Sequence, residues 1–225
     1  MKYLILIFII VFNINSKAQS NDTFFLKRIL IDTPYQFYNA IYIDTTYDIT
    51  NRKSISDFTF DHFDSVTYFR ELAALKPLRK IKNVNRNFPK KWIQLYQYNN
   101  NFYTYVPSDL GNQLKFELTD STTISYFMEG PQPSKLKKVI WLTPTHLIIR
   151  QNNYWREKKV DINIINVEKG IAIFTFRSTK YYKSLQKILM VSIDKAHLFK
   201  TVINYCTTDK VAEFEFDPID FSKFH

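Results

Sequence analysis

Short segments in which apolar and polar residues alternate one by one dominate the chain from Trp92 onward. In the clearest of them Leu114, Phe116 and Leu118 share one side, and charged residues share the other. Because successive side chains of a strand point to opposite faces, this period of two predicts β-strands with one buried face. Turn residues separate the segments about every 8 to 12 positions, a spacing typical of β-sandwiches and barrels.

About ten strands are predicted in this part of the chain by the same reasoning. The clearest turn is at residues 99–101, because asparagine tolerates the positive φ that a tight hairpin needs. Residues 130–133, Gly-Pro-Gln-Pro, are predicted to form a loop. The predicted strands are Trp92–Tyr98, Phe102–Val106, Leu114–Leu118, Thr123–Met128, Val139–Leu142, His146–Gln151, Val160–Val167, Ile171–Phe176, Ile188–Ile193, Phe199–Tyr205 and Val211–Phe216.

One helix is predicted, near residues 64–76. Ser65–Lys76 carries good helix formers, Asp64 is placed to cap the first turn, and Pro77 cannot continue the hydrogen-bond ladder. An apolar side of this helix is expected to face the core. That side comprises Val66, Phe69 and Ala73, with Leu72 and Leu75 close by.

These patterns predict a mainly β fold, an antiparallel meander of roughly ten or more strands that forms a barrel, half-barrel or sandwich. Two further strands, Phe24–Ile31 and Tyr38–Tyr47, precede the helix. We expect one β-rich domain over residues 19–225, divided into strands and helix (19–77), a basic loop (78–91) and antiparallel strands (92–225). A lipocalin-like barrel and the unclosed barrel of lipoprotein-carrier-like proteins both fit, and no motif of either family is present.

The first 18 residues are predicted to be a cleaved signal peptide. Lys2 precedes the apolar run Tyr3–Phe12, and Ser16 and Ala18 are small residues at −3 and −1 of the cut. The run is shorter than the roughly 20 residues of a membrane span. We therefore expect an exported bacterial protein, periplasmic or extracellular. Its one cysteine, Cys206, is too far from the cut to carry a lipid anchor and is expected to be buried on a strand.

The formal net charge is +10, and basic residues are concentrated between positions 76 and 91, where no acidic residue occurs. Such a stretch suits anionic lipid headgroups or acidic glycans, although charge runs also occur as ordinary solvated loops. Export argues against a nucleic-acid partner. The candidate binding residues are Lys76, Arg79, Lys80, Lys82, Arg86, Lys90 and Lys91.

Motifs for nucleotide, metal or cofactor binding are missing from the sequence. Three glycines are too few for a phosphate-binding loop, and neither HExxH nor the calcium-loop pattern occurs. The nucleophile elbow G-x-S-x-G is absent as well. The sequence therefore predicts no cofactor and no metal site, and it favours a protein without catalytic activity.

Several polar groups that could carry chemistry have simpler structural explanations. Three carboxylates and an imidazole before the helix suit a capped helix entry better than a cation site. Two carboxylate pairs could serve glycoside hydrolysis, and the second of them falls on a strand face expected to be exposed. One histidine lies in an apolar strand. The groups are Asp57, Asp61, His62 and Asp64, then Glu117 with Glu129, Glu213 with Glu215, and the histidines His146 and His197.

Aromatic residues make up 17% of the chain. With no catalytic motif, this excess favours an exported, non-catalytic binding module with a hydrophobic or amphipathic ligand in the β interior. A lipid-like or glycan ligand is the expected partner. Two alternatives remain open. One is a cell-envelope protein whose basic face meets an anionic surface, and the other is a hydrolase that uses carboxylates or His146.

Overall fold

The computed structural model describes residues 24–30, 38–45, 49–81, 87–109, 113–127, 129–153, 157–178, 185–206 and 212–224. The predicted signal peptide, residues 1–18, lies outside these residues. The helices are α1 (Ile49–Ser56) and α2 (His62–Ala74). The strands are β1 (Phe24–Leu30), β2 (Tyr38–Asp44), β3 (Lys91–Gln94), β4 (Tyr96–Tyr98), β5 (Asn101–Val106), β6 (Lys115–Leu118), β7 (Thr122–Phe127), β8 (Gly130–Thr143), β9 (His146–Asn152), β10 (Glu157–Asn166), β11 (Ile171–Ser178), β12 (Leu185–Ser192) and β13 (Lys200–Tyr205).

Eight strands close into a barrel in the order β10-β11-β12-β3-β6-β7-β8-β9. Strands β6 to β12 follow one another as an antiparallel meander, and β3 closes the ring between β12 and β6. Closure removes the free edges that an open sheet exposes to other chains. The predicted mainly β fold is confirmed, and among the three predicted architectures it is a closed barrel.

A second sheet of five strands, β1-β2-β13-β5-β4, packs against the outside of the barrel. Its strands pair antiparallel except β13 and β5, which run parallel. Apolar side chains join the two parts: Ile93, Leu95 and Leu189 from the barrel strands and the β3–β4 junction pack with Phe102 and Val106 of the second sheet. The second sheet therefore buries one outer side of the barrel, which would otherwise expose a large apolar surface.

Aromatic rings fill one end of the barrel interior. Trp92 and Phe116 lie 5.3 and 5.2 Å from the ring of Phe174, and all three side chains are buried. Phe88 completes the stack, with ring centroids 5.9 Å from Trp92 and 5.3 Å from Trp141. The indole N–H of Trp92 donates to the carbonyl oxygen of Pro89 at 2.9 Å, so burial leaves it hydrogen-bonded. These five rings are called the aromatic plug below.

The predicted strand Trp92–Tyr98 is two strands. Leu95 is fully buried between β3 and β4, and its N–H donates to the carbonyl oxygen of Leu189 at 2.9 Å. At this residue the chain leaves the barrel and enters the second sheet. The predicted hairpin that follows is confirmed, because Asn99 and Asn100 have φ values of 47° and 60°.

Residues 130–133, predicted to be a loop, are the first part of β8. Pro131 and Pro133 pair with β7 on one side, while pairing with β9 begins at Lys135. Because proline has no N–H to give to a ladder, it is tolerated where one side of the strand has no partner. Gly130 begins the strand with a φ of 101°, which glycine adopts at little cost.

The predicted helix is confirmed, but its cap and its packing differ from the prediction. The N-cap is Asp61, whose side chain accepts a hydrogen bond from the N–H of Asp64 at 2.8 Å. Val66 and Phe69, expected in the core, are exposed, whereas Thr67 is buried.

Helix α1 was not predicted, since its sequence lacks an apolar side. Neither helix in the described part of the chain is both long and apolar enough to cross a bilayer.

The predicted strand Val211–Phe216 is wrong within the described residues 212–216. The carbonyl oxygen of Ala212 accepts from the Asn204 side chain, and the N–H of Phe214 donates to the Tyr105 hydroxyl. Side chains thus form hydrogen bonds with main-chain groups that a β-ladder would otherwise use.

Cys206 is half-buried and directly follows β13, so it is not a buried strand residue as expected.

Replacement of Phe174 by alanine tests the aromatic plug. The variant loses ring contacts to Trp92 and Phe116 and leaves a cavity, so we expect the free energy of unfolding to fall by about 3–5 kcal/mol. Urea denaturation followed by circular dichroism measures it. The matched Leu142→Ala variant, at a side chain 52% exposed on β8, should stay within about 0.5 kcal/mol of the parent. A loss below about 1 kcal/mol in Phe174→Ala would contradict a close-packed interior.

Candidate binding cavity

Side chains that point into the barrel change from apolar to polar along the barrel axis. On β9, Leu147 and Ile149 point inward at the plugged end, and Gln151 follows at the other end. On β8 the inward residues run the other way, from Ser134 to Leu136, because the strands are antiparallel. On these two strands the inward polar groups therefore lie at one end of the barrel, opposite the aromatic plug.

This polar end of the barrel encloses a cavity of 490 Å³, called the barrel cavity below. Leu114, Phe176 and Ile188 form its floor, since each also packs against the apolar cluster around the plug. The exposed ring of Phe127 lies at its rim. The walls are amide and hydroxyl side chains from β3, β7, β8, β9 and β12. They are Gln94, Ser125, Gln132, Ser134, Gln151, Asn153 and Gln186.

Strand pairing sets the positions of the wall residues. Thr123 faces Ser134 across the β7–β8 ladder, and Ser125 faces Gln132. The buried hydroxyl of Thr123 also donates to the amide oxygen of Gln151 at 2.5 Å, which joins β7 to β9 across the interior. The walls are thus held by the ladder and by an internal hydrogen bond, which makes the cavity preformed.

The charge of the barrel cavity is positive. Two cations, Lys158 and Arg177, line it, and no carboxylate is among the described residues that do so. Lys158 pairs in register with Gln151 and therefore belongs to the inward row, while Arg177 lies at the end of β11. This arrangement favours a ligand whose polar group is neutral or anionic over a cation.

A half-buried lysine holds the helices beside the open end. Lys115, on the outer face of β6, donates from Nζ to the carbonyl oxygens of Ser54 and Asp57, both at 2.9 Å. Burial lowers the pKa of Lys115, and the nearby Asp57 and Asp64 carboxylates oppose that shift. Since β6 begins at this end of the barrel, the α1–α2 connection lies against the mouth of the cavity.

The described members of the predicted basic stretch lie on the protein surface and are not among the residues that line the barrel cavity. Lys76, Arg79, Lys80 and Lys90 are exposed, whereas Lys82 and Arg86 lie outside the described residues. Lys91 is half-buried, 4.0 Å from a carboxylate oxygen of Glu117 and 5.2 Å from the ring centroid of Phe58. Lys91 therefore has a structural role on the barrel wall, and binding by the exposed members stays a prediction.

The acidic group before α2 has a local structural role. Asp61 caps the helix, and Asp57 accepts hydrogen bonds from the N–H and hydroxyl of Thr59 at 2.8 and 2.6 Å. In the described part of the chain, no three histidine, cysteine, aspartate or glutamate side chains are grouped to hold a metal ion.

Glu213, expected on an exposed strand face, is a half-buried hydrogen-bond centre. Its carboxylate accepts from the Tyr105 hydroxyl at 2.5 Å, from the Ser108 hydroxyl at 2.8 Å and from the Asn204 amide at 3.2 Å. The N–H of Asp109 donates to it as well, at 3.1 Å. Burial alone would raise the pKa of Glu213, but these hydrogen bonds outweigh it and hold the pKa below its usual value. The carboxylate ties the C-terminal segment to the second sheet.

His146 is within hydrogen-bond distance of a carboxylate. Its Nε2 lies 2.7 Å from Oδ1 of Asp161, between β9 and β10. Both side chains are on the outer face of the barrel, since the neighbouring Leu147 and Ile162 point inward. The pair is therefore separated from the barrel cavity by the barrel wall, which fits the structural role predicted for His146.

A wider depression of 740 Å³ lies on the outer surface. The β4–β5 turn and the β10–β11 turn border it, together with Phe224 near the C-terminus. Its sides are turns and chain ends, whereas the barrel cavity is bounded by paired strands. We therefore take the barrel cavity as the candidate site despite its smaller volume.

The residues of the barrel cavity were not predicted individually from the sequence. The sequence does contain a signal for them. On three strands the inward-pointing residue two positions from an apolar one is a glutamine. The pairs are Trp92 with Gln94, Ile149 with Gln151, and Ile188 with Gln186. In an antiparallel meander these changes meet at one end of the barrel.

Comparison of the chain with protein-family models, with curated proteins and with solved structures found no match.

Substitution of Glu213 by glutamine tests the hydrogen-bond centre. Because the folded-state pKa is lowered from the ordinary 4.5, the carboxylate adds stability above about pH 4.5 and loses it as the pH falls through the folded-state pKa. We expect Glu213→Gln to be about 1–3 kcal/mol less stable at pH 7, with the difference shrinking below about pH 4.5. Urea unfolding across pH measures both, and the exposed Glu215→Gln serves as the control. A constant difference across pH would contradict this role.

Proposed function

We propose that the protein is an exported, non-catalytic binding protein that holds one small amphipathic ligand in the barrel cavity. The observation that supports this most is the division of the barrel interior into a filled aromatic end and an open polar-walled end. A volume of 490 Å³ falls within the range of about 300–1,000 Å³ typical of small-molecule sites. An eight-stranded barrel is wide enough to hold one such ligand.

The order of side chains along the cavity indicates how the ligand lies. Its apolar part meets Phe176 and Ile188 at the floor, where burial of apolar surface provides the favourable free energy. Its polar part meets the amide and hydroxyl walls, which set orientation by hydrogen bonding. The cations Lys158 and Arg177 favour an anionic head group, so a fatty-acid-like amphiphile is the ligand class we expect.

Binding is favoured over hydrolysis by the composition of the cavity lining. None of the described lining residues is a histidine, a cysteine or a carboxylate, the groups that most often act as general base or activated nucleophile. The close pair of His146 and Asp161 lies outside the barrel. Export is part of the proposal and is supported by the apolar N-terminal segment with its small residues at −3 and −1.

A Ser134→Phe variant tests where the ligand binds. Ser134 points into the cavity, so the added ring occupies ligand space, and we expect the affinity for a dansyl-labelled fatty acid to fall about tenfold or more. Fluorescence titration measures it. The control is Arg150→Phe, which places the same ring at an exposed outward position of β9. Thermal unfolding monitored in parallel confirms that both variants fold.

Two results would contradict the proposal. One is an affinity of Ser134→Phe equal to that of the parent, and the other is an equal loss in Arg150→Phe. The first of these results would place the probe outside the barrel cavity.

The charge preference of the site is tested at neighbouring lysines. Lys158→Gln removes a cation from the cavity lining, while Lys159→Gln removes one from the opposite strand face. We expect Lys158→Gln to weaken the binding of dodecanoate about fivefold and to leave the neutral dodecanol unaffected. Competition against the fluorescent probe measures both. Equal effects of the two substitutions would contradict a role for Lys158 in head-group recognition.

A further inference from the structure

Helix α2 exposes a row of apolar side chains on its outer side. Phe63, Val66 and Phe69 are 63%, 53% and 63% exposed, and Ala73 on the same side is exposed as well. Positions three and four apart share one side of a helix, so these residues form a continuous apolar strip. This strip, Phe63, Val66, Phe69 and Ala73, is called the α2 strip below.

The side of α2 that packs on the barrel carries much of its polarity. Thr67 is buried there, and Asp64 and Glu71 are half-buried, as are Tyr68 and Leu72. A surface helix normally keeps its large apolar side chains on the inner side. The α2 strip departs from that rule and stays largely exposed after folding, and exposed patches of this kind mark interaction sites.

The α2 strip lies beside the mouth of the barrel cavity. A Cβ added at Gly130, the first residue of β8, would meet Oδ1 of Asp64 and Cγ2 of Thr67, both at 3.3 Å. Gly130 pairs with Phe127, the exposed aromatic residue at the cavity rim. The hydrogen bonds of Lys115 to the α1–α2 connection fix this placement. The helix is therefore held against the rim through which a ligand enters.

Cations flank the α2 strip. Arg70 is exposed on the same side of the helix, and Lys76, Arg79 and Lys80 follow its C-terminal end, all exposed. Between Glu71 and Asp109 the chain contains no acidic residue. Exposed phenylalanines bordered by basic residues are typical of helices that lie in the headgroup region of anionic membranes.

We propose that the α2 strip and the cations after it dock the protein on an anionic lipid bilayer, with the mouth of the barrel cavity facing the membrane. Phe63, Val66 and Phe69 enter the headgroup–acyl boundary, while Lys76, Arg79 and Lys80 meet the lipid phosphates. This inference extends the proposed function, because an amphiphile then passes between bilayer and cavity without crossing open water. The docking itself depends only on the surface and not on an occupied cavity.

Vesicle co-sedimentation tests the docking. The probe is a vesicle of phosphatidylcholine and phosphatidylglycerol in equal parts, compared with one of phosphatidylcholine alone. We expect binding to the anionic vesicle that weakens when ionic strength rises from about 0.01 to about 0.15 M, because screening shortens the Debye length from about 30 to about 8 Å. The variant Phe63→Ser/Phe69→Ser should bind about tenfold or more weakly, and Arg79→Gln/Lys80→Gln about tenfold more weakly.

The matched control removes two exposed apolar side chains elsewhere. Leu142 and Val167, 52% and 65% exposed, lie near the turns at the plugged end, so Leu142→Ser/Val167→Ser should bind like the parent. No binding to anionic vesicles, or equal loss in the control, overturns the proposal. Equal binding to neutral and anionic vesicles overturns its electrostatic part.

Analytical ultracentrifugation identifies a different occupant of the α2 strip. A dimer of the parent that dissociates in Phe63→Ser/Phe69→Ser would assign the strip to a second copy of the chain and overturn membrane docking. The cavity is assayed separately with the dansyl fatty acid in the absence of vesicles. If that probe binds and vesicles do not, the docking fails and the proposed function stands; the reverse result removes the proposed function alone.

Discussion

Closure of eight antiparallel strands is the constraint on which the rest of the structure depends. A ring of this size leaves an interior that side chains can fill or that one small ligand can occupy. This chain does both, because the aromatic plug occupies one end and short or polar side chains such as Ser125 and Ser134 leave the other end open. The plug supplies much of the buried apolar contact, so the open end can be polar without loss of the fold.

The outer face of the barrel is covered by the second sheet on one side and by the two helices on another. One side is covered by the second sheet through Ile93, Leu95 and Leu189, and the C-terminal segment is tied to that sheet by Glu213. Beside β6, β7 and β8 lie α1 and α2, held by the half-buried Lys115. The hydrogen bonds from Lys115 to Ser54 and Asp57 also place the exposed α2 strip beside the cavity mouth. The proposed ligand site and the proposed docking surface therefore lie at one end of the molecule.

Alternation of period two predicted most of the barrel strands, because each has one face inside the barrel and one outside, but it missed residues 130–133 of β8, where the prolines indicated a loop. It could not distinguish a barrel strand from a strand of the second sheet, so the transition at Leu95 was missed. It also failed for residues 212–216, whose main-chain groups bond to side chains distant in sequence such as Tyr105. The orientation of α2 was predicted wrongly, since apolar periodicity assumes that the apolar side faces the core. The cavity was not predicted residue by residue. Its sequence signal is the change from apolar to polar in the inward-pointing residues of a strand, as at Gln151, and this signal can be interpreted only once the strand order is known.

The barrel interior has a filled end, and we propose that its other end admits a ligand. Methyl NMR during titration with dodecanoate below its micelle-forming concentration tests this most directly, because methyl groups report from both ends of the barrel. We expect shift changes at Leu114 and Ile188 on the cavity floor, with Leu147 and Ile162 beside the plug unchanged. Unchanged signals at Leu114 and Ile188, or larger changes at Leu147 and Ile162, would contradict it.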